Sequence, residues 1–156
     1  MSAWRLSLLF LLAMPGHCLL AERFSFWGIS PQLLLVLTVA LAARQGPLWG
    51  MGLGFGWGLF LDILSPRLFG ANALAFTLMA YGTGSVRRQV DVSGRVAQGL
   101  VAFFMTMAYF LFLGLLGAVF AKRFLWVGWA PFVLDPFYNC LVTLAAYEFW
   151  GRRPER

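Results

Sequence analysis

The sequence predicts an all-α integral membrane protein: a bundle of about six transmembrane helices in one domain, residues 1–156. Hydrophobic residues make up 61% of the chain and charged residues 12%, and the mean hydropathy is +0.78. A water-solvated domain usually has about 25% charged residues. Each span needs about 20 residues, so six spans use roughly 120 positions and leave no room for an extramembrane domain.

Charged and turn-forming residues divide the chain into six apolar segments: 4–20, 31–43, 47–64, 68–86, 96–121 and 134–150. Pro31 and Pro47 open the second and third segments. Proline is tolerated in a first helical turn because its missing N–H would have no partner there. The second segment is short for a span unless it recruits earlier residues or lies in a thinned bilayer.

The basic residues predict the orientation, because Lys and Arg concentrate on the cytoplasmic side. With six spans and a cytoplasmic N-terminus, eight basic residues lie inside: Arg5, Arg44, Arg87, Arg88, Arg95, Arg152, Arg153 and Arg156. Four lie outside: Arg23, Arg67, Lys122 and Arg123. A five-span alternative also places eight inside, so charge leaves the span count open. Both place the C-terminus in the cytoplasm, where the arginines attract anionic lipids.

The first segment has a competing interpretation as a cleaved signal peptide, but it is long for one and lacks a clear cleavage site. We therefore expect a retained first helix. A lipoprotein reading of Cys18 is disfavoured by His17 before it. Cys18 and Cys140 are expected to be free thiols in apolar surroundings.

The sequence offers no catalytic, cofactor or metal constellation. His17 has no partner at ligand spacing apart from the adjacent cysteine. No strand precedes the glycine-rich stretch, and no Lys-Ser or Lys-Thr pair follows it, which argues against nucleotide binding. Asp135 and Glu148, near the two ends of the last segment, read as interfacial acids rather than parts of a proton path. We expect a protein that is not an enzyme.

The most informative pattern is a row at four-residue steps in the third segment, formed by Gly46, Gly50, Gly54, Gly58 and Asp62. Glycine is unfavourable inside a helix unless something compensates. In a bilayer, small residues at this spacing allow close helix packing. We predict that these four glycines form a helix-packing or partner interface. Asp62 should accept hydrogen bonds from the turn of residues 65–70, through its amides or Arg67.

These residues carry a family resemblance. Pro31 with the following Gln-Leu-Leu-Leu-Val, the glycine row, and the motif residues Phe55, Asp62, Ser65 and Gly70 resemble the signature of the bacterial rod shape-determining protein MreD family. Specific residues match from Pro31 to about Gly84, and hydropathy alone matches elsewhere. Gly52 and Gly56 are extra glycines in the third segment.

The resemblance implies a non-enzymatic inner-membrane subunit of the peptidoglycan elongation machinery. It implies contacts with the single-span scaffold MreC, with RodA and a class B penicillin-binding transpeptidase, and indirectly with MreB filaments. It also implies a fold similar to the substrate-binding subunits of energy-coupling-factor transporters. The alternative function is therefore a vitamin-like solute-binding subunit, although few polar residues could form such a pocket: Asp62, Asn72, Asp135 and Asn139.

Overall fold

The computed structural model describes residues 3–23, 32–65, 68–92 and 94–149. Over these ranges the chain forms six α-helices and no strand, which confirms the all-α prediction. In chain order the helices are α1 (Ala3–Arg23), α2 (Leu33–Gln45), α3 (Pro47–Leu64), α4 (Ala71–Gln89), α5 (Arg95–Phe120) and α6 (Trp129–Phe149). The predicted third segment coincides with α3, and Pro47 is its first residue.

The last helix begins at Trp129 rather than at residue 134, so its predicted start was wrong. Pro131 falls in its first turn, where proline is tolerated, and does not delay the helix. Asp135 and Pro136 consequently lie inside α6 instead of at its start. Both are buried, and Pro136 is among the most enclosed side chains of the described chain.

The short second helix is the centre of the bundle. All residues of α2 from Leu34 to Ala43 are buried. Among the described helices, α2 is also the one that contacts all the others. Its 13 residues span about 20 Å, less than the roughly 30 Å of a bilayer core. Its length suits a helix whose surroundings are protein.

The remaining helices pack around α2 in two closely associated pairs, α3 with α4 and α5 with α6. The first helix contacts only α2 and α3 within the described chain. The most enclosed large side chains of the core are Trp57, Phe76, Leu34, Leu35 and Leu41. By length and composition, α3 and α5 are the two described helices that could each cross a membrane.

Large apolar side chains cover the outside of the bundle. Each of the five outer helices exposes several of them, including Leu11 on α1, Leu48 on α3, Leu74 on α4, Leu115 on α5 and Leu141 on α6. So many exposed large apolar side chains are not typical of a soluble monomer. These side chains therefore face an apolar environment or a partner.

Basic residues meet at one end of the bundle. Arg87, in the last turn of α4, donates from Nη1 to the carbonyl of Arg44 at 3.2 Å. The Arg44 guanidinium carbon lies 5.0 Å above the centroid of the Tyr147 ring of α6. The C-terminal turns of α2, α4 and α6 thus share this end, with a cation–π contact between two of them.

Candidate functional site

The glycine row of α3 lies where three helices meet. A Cβ added to Gly50 would lie 2.5 Å from Ala42 Cβ on α2, and one added to Gly54 would lie 2.8 Å from Thr38 Cγ2. At Gly58 the added atom would lie 2.5 Å from the backbone nitrogen of Ala73 on α4. Only glycine permits these approaches. These glycines of α3 therefore pack against α2 and α4 of the same chain. A helix of a partner protein would have to contact another face of α3.

Gly46 has a different role from the other three. It separates α2 from α3, has φ +105°, and its added Cβ would meet only Arg87 Nη1, at 4.0 Å. Gly70, before α4, has φ +88°. Both angles belong to backbone conformations that side chains disfavour. The sequence pattern grouped Gly46 with the packing row, whereas the structure places it in a one-residue reversal.

Asp62, at the end of the row, is 3% exposed and caps the first turn of α4. Its Oδ1 accepts the Asn72 backbone N–H at 3.0 Å, and its Oδ2 accepts the Ala73 N–H at 3.0 Å. The residue before α4 is Gly70, which offers no side-chain cap. A carboxylate suits this position because the first N–H groups of a helix lack partners and carry positive partial charge.

Asn72 connects the Asp62 cap to α5 by hydrogen bonds. The Asn72 side-chain N–H donates to Asp62 Oδ1 at 2.9 Å, and its Oδ1 accepts from Tyr109 O–H at 2.7 Å. The Tyr109 ring also meets the Phe76 ring edge-on, with centroids 5.5 Å apart. One hydrogen-bonded chain, partly buried, thus joins α3, α4 and α5 at the end of the bundle opposite Arg44.

The sequence placed the donors to Asp62 too early in the chain. The donors that the structure describes come from the first turn of α4; Arg67, the other predicted donor, lies outside the described residues, as does Pro31. Of the other motif residues, Ser65 is half-buried just after α3, and Phe55 is 51% exposed on the outer face of α3. The family motif therefore contains side chains inside the bundle and side chains on its outer surface.

A cavity of about 260 Å³ opens beside the Asn72–Tyr109 hydrogen bond. Its walls come from α3, α4, α5 and the segment before α6: Leu61, Leu64, Ser65, Leu68, Ala71, Asn72, Tyr109, Leu113 and Leu125. Most of the lining is apolar. Asn72 already bonds with both of its side-chain polar atoms, so its capacity to hold a polar ligand is low.

A polar row on α6 was missed by the sequence reasoning. Asp135, Asn139 and Thr143 follow at four-residue steps and are all buried. Asn139 accepts the Gln32 backbone N–H at 3.1 Å and donates to Thr106 Oγ1 at 3.1 Å, which links α6 to the start of α2 and to α5. The four-residue spacing of these residues is visible within the predicted segment 134–150.

Three buried side-chain polar atoms have no hydrogen-bond partner among the described residues: Asp135 Oδ1, Gln32 Oε1 and His17 Nδ1. Cys18 and Cys140 are free thiols. Within the described ranges, no three His, Cys, Asp or Glu side chains are grouped to hold a metal ion. The polar groups of the bundle chiefly join helices to one another.

Comparison with known proteins gives one family. A family model described as rod shape-determining protein MreD matches residues 1–147. That range includes the glycine row, the Asp62 cap and nearly all of α6. No curated protein and no solved structure matches the chain. With residues 1–147 matched, the chain belongs to the rod shape-determining protein MreD family and has a role in determining rod shape.

Proposed function

We propose that the chain is a multi-pass, non-enzymatic subunit of the bacterial inner membrane that acts in the cell-elongation machinery for peptidoglycan. In this role it contacts a single-span scaffold of the MreC type, RodA and a class B penicillin-binding transpeptidase through lateral helix contacts. MreB filaments are reached indirectly. Family membership supports the shape-determining part of this role.

One observation carries the membrane part of the proposal. The polar residues and the packing glycines of α3 point inward, while the five outer helices turn large apolar side chains outward. In a bilayer, helices associate through packing and interhelical hydrogen bonds because lipid is as apolar as leucine. A protein with this surface exchanges information with partners chiefly by lateral contact.

The proposed orientation places the Arg44, Arg87 and Tyr147 end in the cytoplasm. Positive charge concentrates on that side of membrane proteins. The Asp62 cap and its neighbouring cavity then face the outer side. In this arrangement the outer helices cross the bilayer, the short α2 lies enclosed among them, and the C-terminus is cytoplasmic. The basic end also attracts anionic lipids.

The cavity beside Asn72 is the observation that favours the alternative, a vitamin-like solute-binding subunit. Ligand pockets are mostly apolar with a few convergent polar groups. Here both side-chain polar atoms of Asn72 are engaged by Asp62 and Tyr109, so a solute would have to displace existing bonds. The scaffold role therefore ranks first.

Site-directed crosslinking in growing cells tests the proposal. In a background lacking Cys18 and Cys140, single cysteines replace Phe55, Leu74 or Leu78, which are 51%, 50% and 42% exposed. We expect at least one position to form an adduct with a subunit of the elongation machinery. Depletion of the protein should also turn rod-shaped cells round.

Ala80→Cys is the matched control, since Ala80 lies on the same helix as Leu78 and is fully buried. It should give no adduct. Resistance to alkaline carbonate extraction checks membrane insertion separately. Absence of an adduct from every exposed position, with normal elongation after depletion, would refute the scaffold role. Solute uptake that depends on the chain would favour the alternative.

A further inference from the structure

The cavity beside the Asn72–Tyr109 hydrogen bond suits an apolar occupant. Its volume is about 260 Å³, and an apolar cavity of about 150 Å³ is already large enough to stay dry and bind benzene. Asn72 is engaged through both of its side-chain polar atoms, and the Tyr109 hydroxyl donates to it. The lining therefore offers few partners to a water molecule. An empty cavity would forfeit van der Waals contacts along its walls.

The cavity opens beside the apolar outer surface of the bundle. Leu64 both lines the cavity and is exposed, and its neighbour Ile63 is exposed as well. Phe69, which follows the lining residue Leu68, is also exposed. The cavity is thus continuous with the apolar surface that the outer helices present. In the membrane arrangement proposed above, the hydrocarbon chains of lipids cover that surface.

One wall of the cavity is formed by the segment that connects α5 to α6, residues 121–128. This segment turns back along the last turns of α5. A Cβ added to Gly114 would collide with the Phe124 ring, and one added to Gly117 would collide with the Leu125 side chain. Glycine at these two positions therefore allows the close approach. Leu125, held in this way against α5, lines the cavity.

Two basic residues come just before this wall in the chain. Lys122 and Arg123 are both exposed, and so is Trp126, which follows Leu125. Basic and tryptophan side chains typically lie at the level of lipid headgroups. Ammonium and guanidinium groups bind phosphate oxygens through charge-assisted hydrogen bonds. The charge beside the cavity therefore favours an anionic headgroup above an apolar chain.

We propose that this cavity receives an acyl chain of one anionic phospholipid from the outer leaflet, with the phosphate at the level of Lys122 and Arg123. The chain fills the space between the Asn72–Tyr109 hydrogen bond and segment 121–128, and thereby supports that segment against α5. The inference rests on the membrane insertion proposed above, but it is independent of any protein partner.

Photolabelling of the full, unmodified chain tests the proposal. The chain is reconstituted in phosphatidylcholine with a small fraction of either phosphatidylglycerol or phosphatidylcholine that carries a diazirine at the end of one acyl chain. Peptide mass spectrometry then locates the links formed on illumination. Leu113 and Ala71 line the cavity and are only 8% and 7% exposed, so a link at either residue requires a chain inside. We expect these internal links, and more of them from phosphatidylglycerol.

Two unmodified positions calibrate the labelling. Leu115 is exposed on α5 and does not line the cavity, so both lipids should label it equally. Ala80 is fully buried away from the cavity and should not be labelled. Labelling of Leu115 without a link at Leu113 or Ala71 would overturn the proposal. Equal internal labelling by the two lipids would also overturn it.

Leu68→Trp tests the cavity directly, because the larger ring fills it without changing the charge. The internal links should disappear in this variant, whereas Leu111→Trp, an exposed position of α5 outside the cavity, should keep them. Lys122→Gln and Arg123→Gln should each lower the preference for phosphatidylglycerol about fivefold. Arg88→Gln is the matched control for charge, since Arg88 is exposed at the opposite end, and should not change the preference.

A third result would assign the cavity to a protein contact and overturn the proposal: Leu68→Trp keeps the internal lipid links but loses its crosslinks to the elongation machinery. Labelling of the unmodified chain decides the question even if Leu68→Trp does not fold. Failure of carbonate-resistant membrane insertion would be seen separately and would count against the proposed function itself.

Discussion

A single carboxylate oxygen of Asp62 accepts two hydrogen bonds from Asn72, one from its backbone N–H at 3.0 Å and one from its side chain at 2.9 Å. This double contact fixes the start of α4 against the end of α3. The other Asp62 oxygen holds the next amide, that of Ala73. The Asp62 carboxylate therefore joins the end of α3 directly to the first turn of α4.

The first prediction compares two glycines of α3. Gly58→Ala should destabilise the protein by about 1 to 3 kcal/mol, because the added methyl group would collide with the α4 backbone at Ala73, which cannot move aside. Gly52→Ala should be neutral or slightly stabilising, since no atom of the described chain lies within 4 Å of its added Cβ. Reversible unfolding in detergent micelles measures both. Equal effects would contradict the assigned packing.

The second prediction concerns Asp62. Asp62→Asn keeps one accepting oxygen, but its amide N–H₂ would face an N–H donor, so we expect a loss of about 1 to 3 kcal/mol. Asp62→Leu leaves the amides of Asn72 and Ala73 without a cap and should cost more. Growth as rods and unfolding in micelles should both rank the unmodified chain above Asn, and Asn above Leu. Identical loss in both variants, with proton-dependent solute uptake, would point to transport.

The third prediction concerns the attachment of α1. Trp57 is fully buried, stacks on Phe10 with ring centroids 5.8 Å apart, and donates from Nε1 to the Phe10 carbonyl at 3.1 Å. Trp57→Ala should destabilise the protein by about 3 to 5 kcal/mol through the cavity it leaves. Trp57→Phe, which removes chiefly the hydrogen bond, should cost about 1 kcal/mol.

Trp49→Ala provides the control for this prediction, because Trp49 is on the same helix and 52% exposed. Its effect on unfolding should stay within about 0.5 kcal/mol. A disulfide between cysteines introduced on the facing surfaces of α1 and α3 gives a second readout. It should form less efficiently in Trp57→Ala than in Trp49→Ala.

Part of this architecture could be predicted from the sequence. The four-residue spacing of Gly50, Gly54 and Gly58 indicated a packing face, because helical periodicity depends only on local sequence. The helices that pack against that face could not be identified from the sequence, because the pairing of helices depends on tertiary contacts. The described donors to Asp62, Asn72 and Ala73, lie beyond the predicted turn because the start of α4 was set at residue 68 instead of Ala71.

The central position of α2 shows another limit. Its sequence from Leu34 to Ala43 is apolar on every side apart from Thr38. A helix that is apolar all round suits a protein core and a lipid environment equally well. Thr38 does not show whether α2 faces protein or lipid, because its hydroxyl donates to the Leu34 carbonyl of the same helix and needs no outside partner. The polar row of α6 lies within the predicted segment 134–150, but Asp135 was interpreted by itself as an interfacial acid, so the face that it shares with Asn139 and Thr143 was not recognised.

The one-residue reversal at Gly46 has a consequence for biogenesis. In the proposed membrane arrangement α2 emerges during synthesis before every helix that later covers it except α1, and its 13 residues are fewer than the about 20 that a span needs. Because a single glycine joins α2 to α3, the two helices can enter the membrane together as a hairpin, with Gly50 and Gly54 already seated on Ala42 and Thr38. In that arrangement α3, which is long enough to span a membrane, would assist the insertion of the shorter α2.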